Sequence, residues 1–234
     1  MYIYWFEAIT IKIPNNIALK VDNDNIVPSN HVRNLGVYID RFMNFDIHVD
    51  EMKRKTFGTL LFINRIKDNL DKDTRIIVVQ SLVLSIINYC SVIWGSANAT
   101  QISRVQKMQN FAAKVAQGTS RKFDHVSPVL KELNWLNINK KITYDTLLTM
   151  FKFMCQIYPS YLQHFPTVNE VVNSCTRQHD NLYVPKCRTN MGCNSLVIKG
   201  PKLWNSLPPQ IKSIHNINTF KTKIKDMLLS QSSN

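Results

Sequence analysis

The first 45 residues carry short runs in which apolar and polar side chains alternate, at residues 2–13, 17–21 and 32–39. Segments rich in Pro, Asn and Asp separate these runs. Alternation with a period of two places every second side chain on the same face of a strand, and Pro, Asn and Asp favour turns. The pattern therefore predicts a small β element in the N-terminal part of the chain.

From residue 46 the apolar positions recur at spacings near three and four, which is typical of one face of an amphipathic helix. The positions that form this stripe are Val49, Met52, Leu60, Ile63 and Leu70. A second helix is predicted to start at a cap formed by Asp71 or Asp73, because an Asp side chain accepts hydrogen bonds from the free N–H groups of a first turn. This helix is expected to end before Gly95.

Three further helices are predicted from the same spacing, at residues 100–117, 139–157 and 218–230. Gly118 is expected to end the first of them, since Gly readily adopts the left-handed conformation that closes many helices. Residues 166–200 lose the periodicity and gain Asn, Thr, Pro and Gly, which indicates a loop-rich connector. We therefore expect a mainly α fold, with a small N-terminal β element, a helical bundle and a loop-rich C-terminal extension.

Residues 76–94 are apolar at 14 of 19 positions, so two structures are open for them. A membrane span needs about 20 apolar residues, and Gln80 and Asn88 interrupt this run. A helix buried on most sides of a protein core accommodates both the apolar residues and the polar interruptions. We favour the buried helix and expect no membrane partner.

The charge is large and unevenly distributed. Lys and Arg number 29 against 16 acidic residues, which gives a net charge of +13. Residues 1–100 hold 11 basic and 10 acidic side chains, so residues 101–234, with 18 basic and 6 acidic ones, carry a net charge of +12. A surplus of this size favours a polyanionic partner, most often nucleic acid.

Eight basic residues are the candidates for contacts with such a partner. They are Lys53, Arg54, Lys55, Arg104, Lys107, Lys114, Arg121 and Lys122. On the two predicted helices these cations lie off the apolar stripe, and Arg104, Lys107 and Lys114 share one face. The alternative interpretation is a solvated helix surface without a ligand.

The sequence contains no recognisable catalytic motif. Polymerases that use two metal ions hold Mg²⁺ with carboxylates brought together at a turn, usually in an aromatic-x-Asp-Asp motif, and no such motif occurs. The pairs Asp22/Asp24 and Asp71/Asp73 are interpreted as turn or helix-cap residues. The six Gly are scattered singly, so no phosphate-binding loop is formed.

Five Cys are spread over the chain, an odd number, and we find no signal peptide at its start. We therefore expect reduced thiols and an intracellular protein, with nucleus and cytoplasm not distinguished. A zinc site built from Cys175, His179, Cys187 and Cys193 is the alternative, although their spacing is not a common zinc pattern.

Five blocks of sequence, in order, resemble one known family. They are VRNLGVYID at residues 32–40 with Phe45 and His48, NYC at 88–90 with Trp94 and Gly95, ISRVQKMQNFAAKVAQG at 102–118, SPVLKELNWL at 127–136 followed by residues 140–162, and GPKLWNSLP at 200–208 with Phe220. This series is similar to the part after the catalytic palm in reverse transcriptases of non-LTR (LINE) retrotransposons, and its last block is similar to the C-terminal signature of jockey- and CR1-like elements. Asn134 and Asn137 depart from the pattern, which usually has His and Pro there.

The resemblance implies three segments: the end of the palm with its primer-grip hairpin at residues 1–48, a helical thumb-like domain at 49–165, and a basic C-terminal extension at 166–234. It implies a non-catalytic fragment of an RNA-directed DNA polymerase that keeps a surface for an RNA–DNA or DNA duplex. The missing fingers and palm of the parent enzyme would be the other partner, and Mg²⁺ would be a cofactor of the full-length enzyme only. We expect no small-molecule substrate and no cofactor for this chain.

Two other interpretations stay open. The chain could be one exon of a longer, active reverse transcriptase. It could instead be a helical module for protein interactions with no role in nucleic-acid binding.

Overall fold

The computed structural model describes residues 19–21, 24–26, 29–119, 126–159, 165–172 and 181–231. The alternating run at residues 2–13 lies outside these ranges. In the described part, the mainly α fold with a small N-terminal β element is confirmed.

Two antiparallel hairpins form the β element. Their strands are β1 (Leu19–Val21) with β2 (Asp24–Ile26), and β3 (His31–Asn34) with β4 (Val37–Asp40). Leu35 and Gly36 form the two-residue turn of the second hairpin, with φ of 45° and 86°. Positive φ at both positions matches the twist of the flanking strands, which is why Gly follows Leu35 there.

The carboxylate of Asp40 sets the direction in which the chain leaves β4. It accepts hydrogen bonds from the backbone N–H groups of Phe42, Asn44 and Phe45, at 2.9, 3.1 and 2.6 Å. Phe45 has a φ of 60° and its side chain is fully buried, so it anchors the start of the first helix in the core. The residues of the VRNLGVYID block and Phe45 thus have local structural roles.

The helices follow in chain order. They are α1 (Asp46–Ile66), α2 (Lys72–Val79), α3 (Ser85–Asn88), α4 (Ser91–Trp94), α5 (Ala99–Gln117), α6 (Val126–Glu132), α7 (Ile138–Met154), α8 (Val168–Val172), α9 (Asn190–Asn194), α10 (Leu196–Asn205), α11 (Pro209–Lys212) and α12 (Ile217–Ser230). Asp71 caps α2 and Gly118 ends α5 with a φ of 80°, as predicted.

The apolar segment at residues 76–94 was predicted to be one continuous helix, and this prediction was wrong. A π-helical turn at Gln80–Leu84 separates α2 from α3, and the helix breaks before α4, where Cys90 has a φ of 51°. The break is held by the indole N–H of Trp94, which donates to the Tyr89 carbonyl at 2.9 Å. Among the described residues, no helix combines the length and apolar character that crossing a bilayer requires.

Two apolar cores share α7. The first core joins the second hairpin, α1, α2 and α5 to the N-terminal half of α7, through Ile138 and Ile142. The second core lies on the C-terminal half of α7. Its buried members are Leu136, Leu147, Met150, Phe151, Leu182, Trp204, Leu207, Phe220, Ile224 and Leu228. The predicted segment boundaries at residues 48 and 165 stay predictions.

The turn before α7 contains both departures from the family pattern. Asn137 caps α7 by accepting a hydrogen bond from the Lys140 N–H at 2.9 Å, and Asn134 has a φ of 55°. Asn suits both positions because it caps helices well and tolerates a positive φ. Beside this turn, the buried amide of Gln109 donates to the Leu136 carbonyl at 2.8 Å and so ties α5 to it.

The segment predicted to be a loop-rich connector also contains short helices, α8, α9 and the start of α10, among its described residues. One side-chain amide ties this segment to the second core. Asn205 accepts a hydrogen bond from the Leu182 N–H at 2.9 Å and donates one to the Leu182 carbonyl at 2.8 Å. The loop carrying Leu182 is thereby fixed against α10.

Candidate nucleic-acid interface

Helices α1 and α5 lie side by side and run parallel. At their N-terminal ends, the amide of Gln101 donates to Asp46, and further along both helices the rings of Phe57 and Phe111 lie 5.5 Å apart. Both helices carry candidate cations, so their pairing decides which of these cations come together.

The consecutive cations of α1 do not form one cluster. Lys53 lies on the α5 side, with its Nζ atom 5.7 Å from the ring centroid of Phe57. Lys55 lies on another side of the helix, where it lines a cavity together with His48. Residues two apart on an α-helix point about 200° apart, which explains the separation.

Arg54 forms an exposed ion pair within α1. Its guanidinium lies 2.8 Å from the Glu51 carboxylate, and this hydrogen bond holds the pKa of Glu51 below its ordinary value. Exposed pairs of this kind contribute little to stability, so a phosphate can replace the carboxylate at small cost.

Arg104 bridges the two helices. Its guanidinium pairs with Asp50 on α1 and donates to the Gln101 side chain at 2.8 Å. The partners hold Arg104 in place, which favours a role in fixing α1 against α5 over a role as a free phosphate ligand.

Lys107 is exposed and lies one helical turn from Phe111, on the same side of α5. Lys114 follows Lys107 by two turns on this side and is half-buried. We name the surface formed by Lys53, Phe57, Lys107 and Phe111 the α1–α5 face. Arg121 and Lys122 lie outside the described residues.

The pair Asp71/Asp73 does not resemble a magnesium site. Asp71 accepts hydrogen bonds from the N–H and the hydroxyl of Thr74, at 3.0 and 2.6 Å, so both of its oxygens are used in capping α2. The interpretation of Asp71 as a helix-cap residue is therefore confirmed. Within the part of the chain that the structure describes, no group of three or more His, Cys, Asp or Glu side chains could hold a metal ion.

Two of the four Cys and His residues considered for zinc are described. Cys187 and Cys193 lie within hydrogen-bonding reach of each other, and a hydrogen bond to the Thr189 backbone is the main cause that lowers the pKa of the Cys187 thiol. Cys175 and His179 fall outside the described residues.

Sequence reasoning missed a second set of residues, on the opposite flank of α1. Arg33, His48, Lys55 and Tyr89 line one cavity there. A local signal existed, because His48 and Lys55 are seven residues apart and therefore share a helix face. Arg33 and Tyr89 come from distant parts of the chain, and no local pattern connects them.

His48 should make stability depend on pH. Burial, and secondly the Lys55 ammonium, hold its pKa below the ordinary value of 6.5. The unfolded chain therefore binds a proton more readily than the folded chain, and the free energy of unfolding should rise with pH up to the ordinary value of 6.5. Urea unfolding across this range should show a shallower rise for His48→Gln. His31→Gln, at an exposed position, is the matched control, and an equal effect of both substitutions would contradict the prediction.

Comparisons of this chain with protein-family models, with curated proteins and with solved structures gave no match.

Proposed function

We propose that this chain binds the phosphate backbone of an RNA–DNA or DNA duplex, as the thumb-like part of a non-LTR retrotransposon reverse transcriptase, and has no polymerase activity of its own. The observation that carries the proposal is the α1–α5 face, on which Lys53 and Lys107 flank the neighbouring rings of Phe57 and Phe111.

The chemistry of this face suits a phosphate backbone. A Lys ammonium acts as a compact point charge with three donors, so it contacts phosphate oxygens without distinguishing the bases. The net charge of +12 beyond residue 100 adds a long-range attraction for a polyanion. Binding should accordingly be strong at low salt and nearly independent of sequence.

Residues from the resembling blocks have definable roles in this fold, which supports the family assignment within the proposal. Gly36 forms the hairpin turn, Gly95 packs closely against α7, and Gln109 ties α5 to the turn before α7. Such roles give a physical reason for these residue types at these spacings.

An interaction module without a nucleic-acid role is the second candidate. Exposed apolar side chains near the end of α1 favour it, since Leu61 is 49% and Phe62 is 62% exposed. Large exposed apolar side chains that lie close together often mark protein-binding surfaces. If the chain is instead one exon of a longer, active polymerase, the α1–α5 face would serve the same duplex.

A salt series tests the proposed function. We expect fluorescence anisotropy of a labelled RNA–DNA hybrid to give a linear fall of log K with log salt, with a slope near −0.9 per phosphate contact. About four contacts would weaken binding roughly a hundredfold between 50 and 200 mM salt. A second hybrid of unrelated sequence should bind within a factor of about three, because the contacts are to phosphates.

Two outcomes would contradict the proposal. Affinity that does not change with salt would exclude a phosphate interface and favour the interaction module. Template-dependent extension of a DNA primer on RNA, with dNTPs and Mg²⁺ or Mn²⁺, would show that the chain has a polymerase centre after all.

A further inference from the structure

A cavity of about 300 Å³ lies between the second hairpin, α1 and the end of α3. The tip of the hairpin is tied to this end, because the Tyr89 hydroxyl donates to the Leu35 carbonyl at 2.7 Å. Tyr38, Met52 and Tyr89 give the cavity apolar and aromatic walls. Its volume is at the lower end of the range for small-molecule sites, so it suits one small ligand.

Positive charge lines the cavity from two elements. Arg33 comes from β3, where its guanidinium carbon lies 5.7 Å from the ring centroid of Tyr38, and Lys55 comes from α1. Of the described residues that line the cavity, Glu51 is the one carboxylate, and Arg54 holds it at 2.8 Å. Two cations and one engaged carboxylate favour an anionic ligand, and Arg and Lys are both common ligands of phosphate groups.

His48, which lines the same cavity, carries a buried polar atom without a partner. His48 is only 7% exposed, and its Nε2 atom makes no hydrogen bond. An unpaired buried nitrogen is costly, because folding removes it from water without a replacement. A ligand with a hydrogen-bonding group would supply the missing partner.

We propose that this cavity binds a phosphorylated nucleoside. The phosphate lies between Arg33 and Lys55, the base packs against the aromatic walls, and a polar atom of the ligand pairs with Nε2 of His48. The cavity lies across α1 from the α1–α5 face, so this inference does not rest on the proposed function. No motif in the sequence predicts such a ligand.

Isothermal titration calorimetry of the whole chain with adenosine monophosphate tests the proposal. We expect saturable binding with a Kd below about 1 mM, which is ordinary for a small ligand with few charged contacts. Adenosine and inorganic phosphate should each bind at least about tenfold more weakly, since each lacks half of the contacts. Arg33→Gln and Lys55→Gln should each weaken binding about tenfold or more, whereas Lys107→Gln, on the α1–α5 face, should not.

NMR of the His48 imidazole provides a second test, because its resonances should not respond to the nucleotide if His48 has a purely structural role. They should shift on addition of adenosine monophosphate and stay in place with adenosine at the same concentration. A 5′-phosphorylated dinucleotide distinguishes the sources of the ligand: tighter binding than the mononucleotide assigns the cavity to a strand end, and equal binding assigns it to a free nucleotide.

Three results would overturn the proposal: no saturable binding up to about 10 mM nucleotide, equal affinity in the Arg33→Gln/Lys55→Gln double variant, or unmoved His48 resonances at saturation. Circular dichroism shows whether each variant is folded. The double variant should bind the RNA–DNA hybrid like the unchanged chain, which separates a failure here from a failure of the proposed function.

Discussion

Neutralising Lys53 and Lys107 together should weaken binding to an RNA–DNA hybrid by about 60-fold at 0.1 M salt. Each lost phosphate contact removes about 0.9 from the slope of log K against log salt, so two lost contacts change this slope by about 1.8. Over the tenfold range between 1 M salt, where the phosphate contacts contribute nothing, and 0.1 M salt, this change corresponds to about 60-fold in affinity. Gln is the replacement of choice, because it keeps the helix propensity of Lys and removes only the charge. Arg104 is left unchanged because its pairing with Asp50 holds α1 to α5.

A matched variant separates local contacts from net charge. Lys131 and Lys223 are exposed on α6 and α12, and changing both to Gln lowers the net charge by the same two units. Anisotropy over a salt series should show a nearly unchanged slope for this control. Equal effects of the two double variants, both folded by circular dichroism, would mean that the overall field binds the duplex and that the α1–α5 face has no special role.

Replacing Gly95 by Ala should cost about 2–4 kcal/mol of stability. The new Cβ atom would overlap the Ser91 carbonyl oxygen and lie 2.7 Å from a methyl carbon of Ile142 on α7. A backbone oxygen cannot move aside without disturbing α4, and overpacking a buried contact typically costs about 1–3 kcal/mol even where side chains can adjust. Urea unfolding monitored by circular dichroism should therefore show a clearly lower midpoint.

Gly58 supplies the opposite case within the same chain. It lies in the exposed middle of α1, and an added Cβ atom would meet nothing within 4 Å. Gly58→Ala should raise the free energy of unfolding by about 0.5–1 kcal/mol, because Ala loses less backbone freedom in a helix. A midpoint that Gly95→Ala leaves unchanged or raises would mean that the close packing of α4 on α7 tolerates a side chain at position 95.

The parts of the fold predicted from the sequence are those with local causes. The stripe through Val49, Met52, Leu60 and Ile63 predicted α1, and these four residues are buried. Leu70, the fifth predicted member of the stripe, lies beyond the end of α1 and is only half-buried. The caps at Asp71 and Gly118 depend on residues within a turn of the helix end, so their residue types alone predict them. The second hairpin is different: the alternation predicted a single run at residues 32–39, whereas the turn at Leu35 and Gly36 divides it into β3 and β4.

The break at Cys90 has a cause that local patterns do not contain. A mostly apolar run predicts one continuous helix, but Trp94 is buried in the first core and Gly95 packs against Ile142 of α7, and these contacts favour a bend in it. The surroundings of the candidate site residues likewise could not be predicted from local sequence patterns. The sequence names Lys53, Arg54 and Lys55 as candidates without showing what surrounds each of them. In the structure Lys53 lies near the Phe57 ring on the side of α5, and Lys55 lines a cavity on another side of α1. Tertiary packing decides which charges meet.

The sharing of α7 by two cores has a consequence for synthesis on the ribosome. A growing chain emerges from its N-terminus, and domains generally fold in that order. The partners of Ile138 and Ile142 precede them in the chain, so the first core can assemble as soon as the N-terminal half of α7 has emerged. Met150 and Phe151 must wait for Phe220 and Ile224 of α12. Until then, half of a formed helix presents its apolar side to the cell, and this nascent intermediate is the state in which the protein is most open to chaperones and to aggregation.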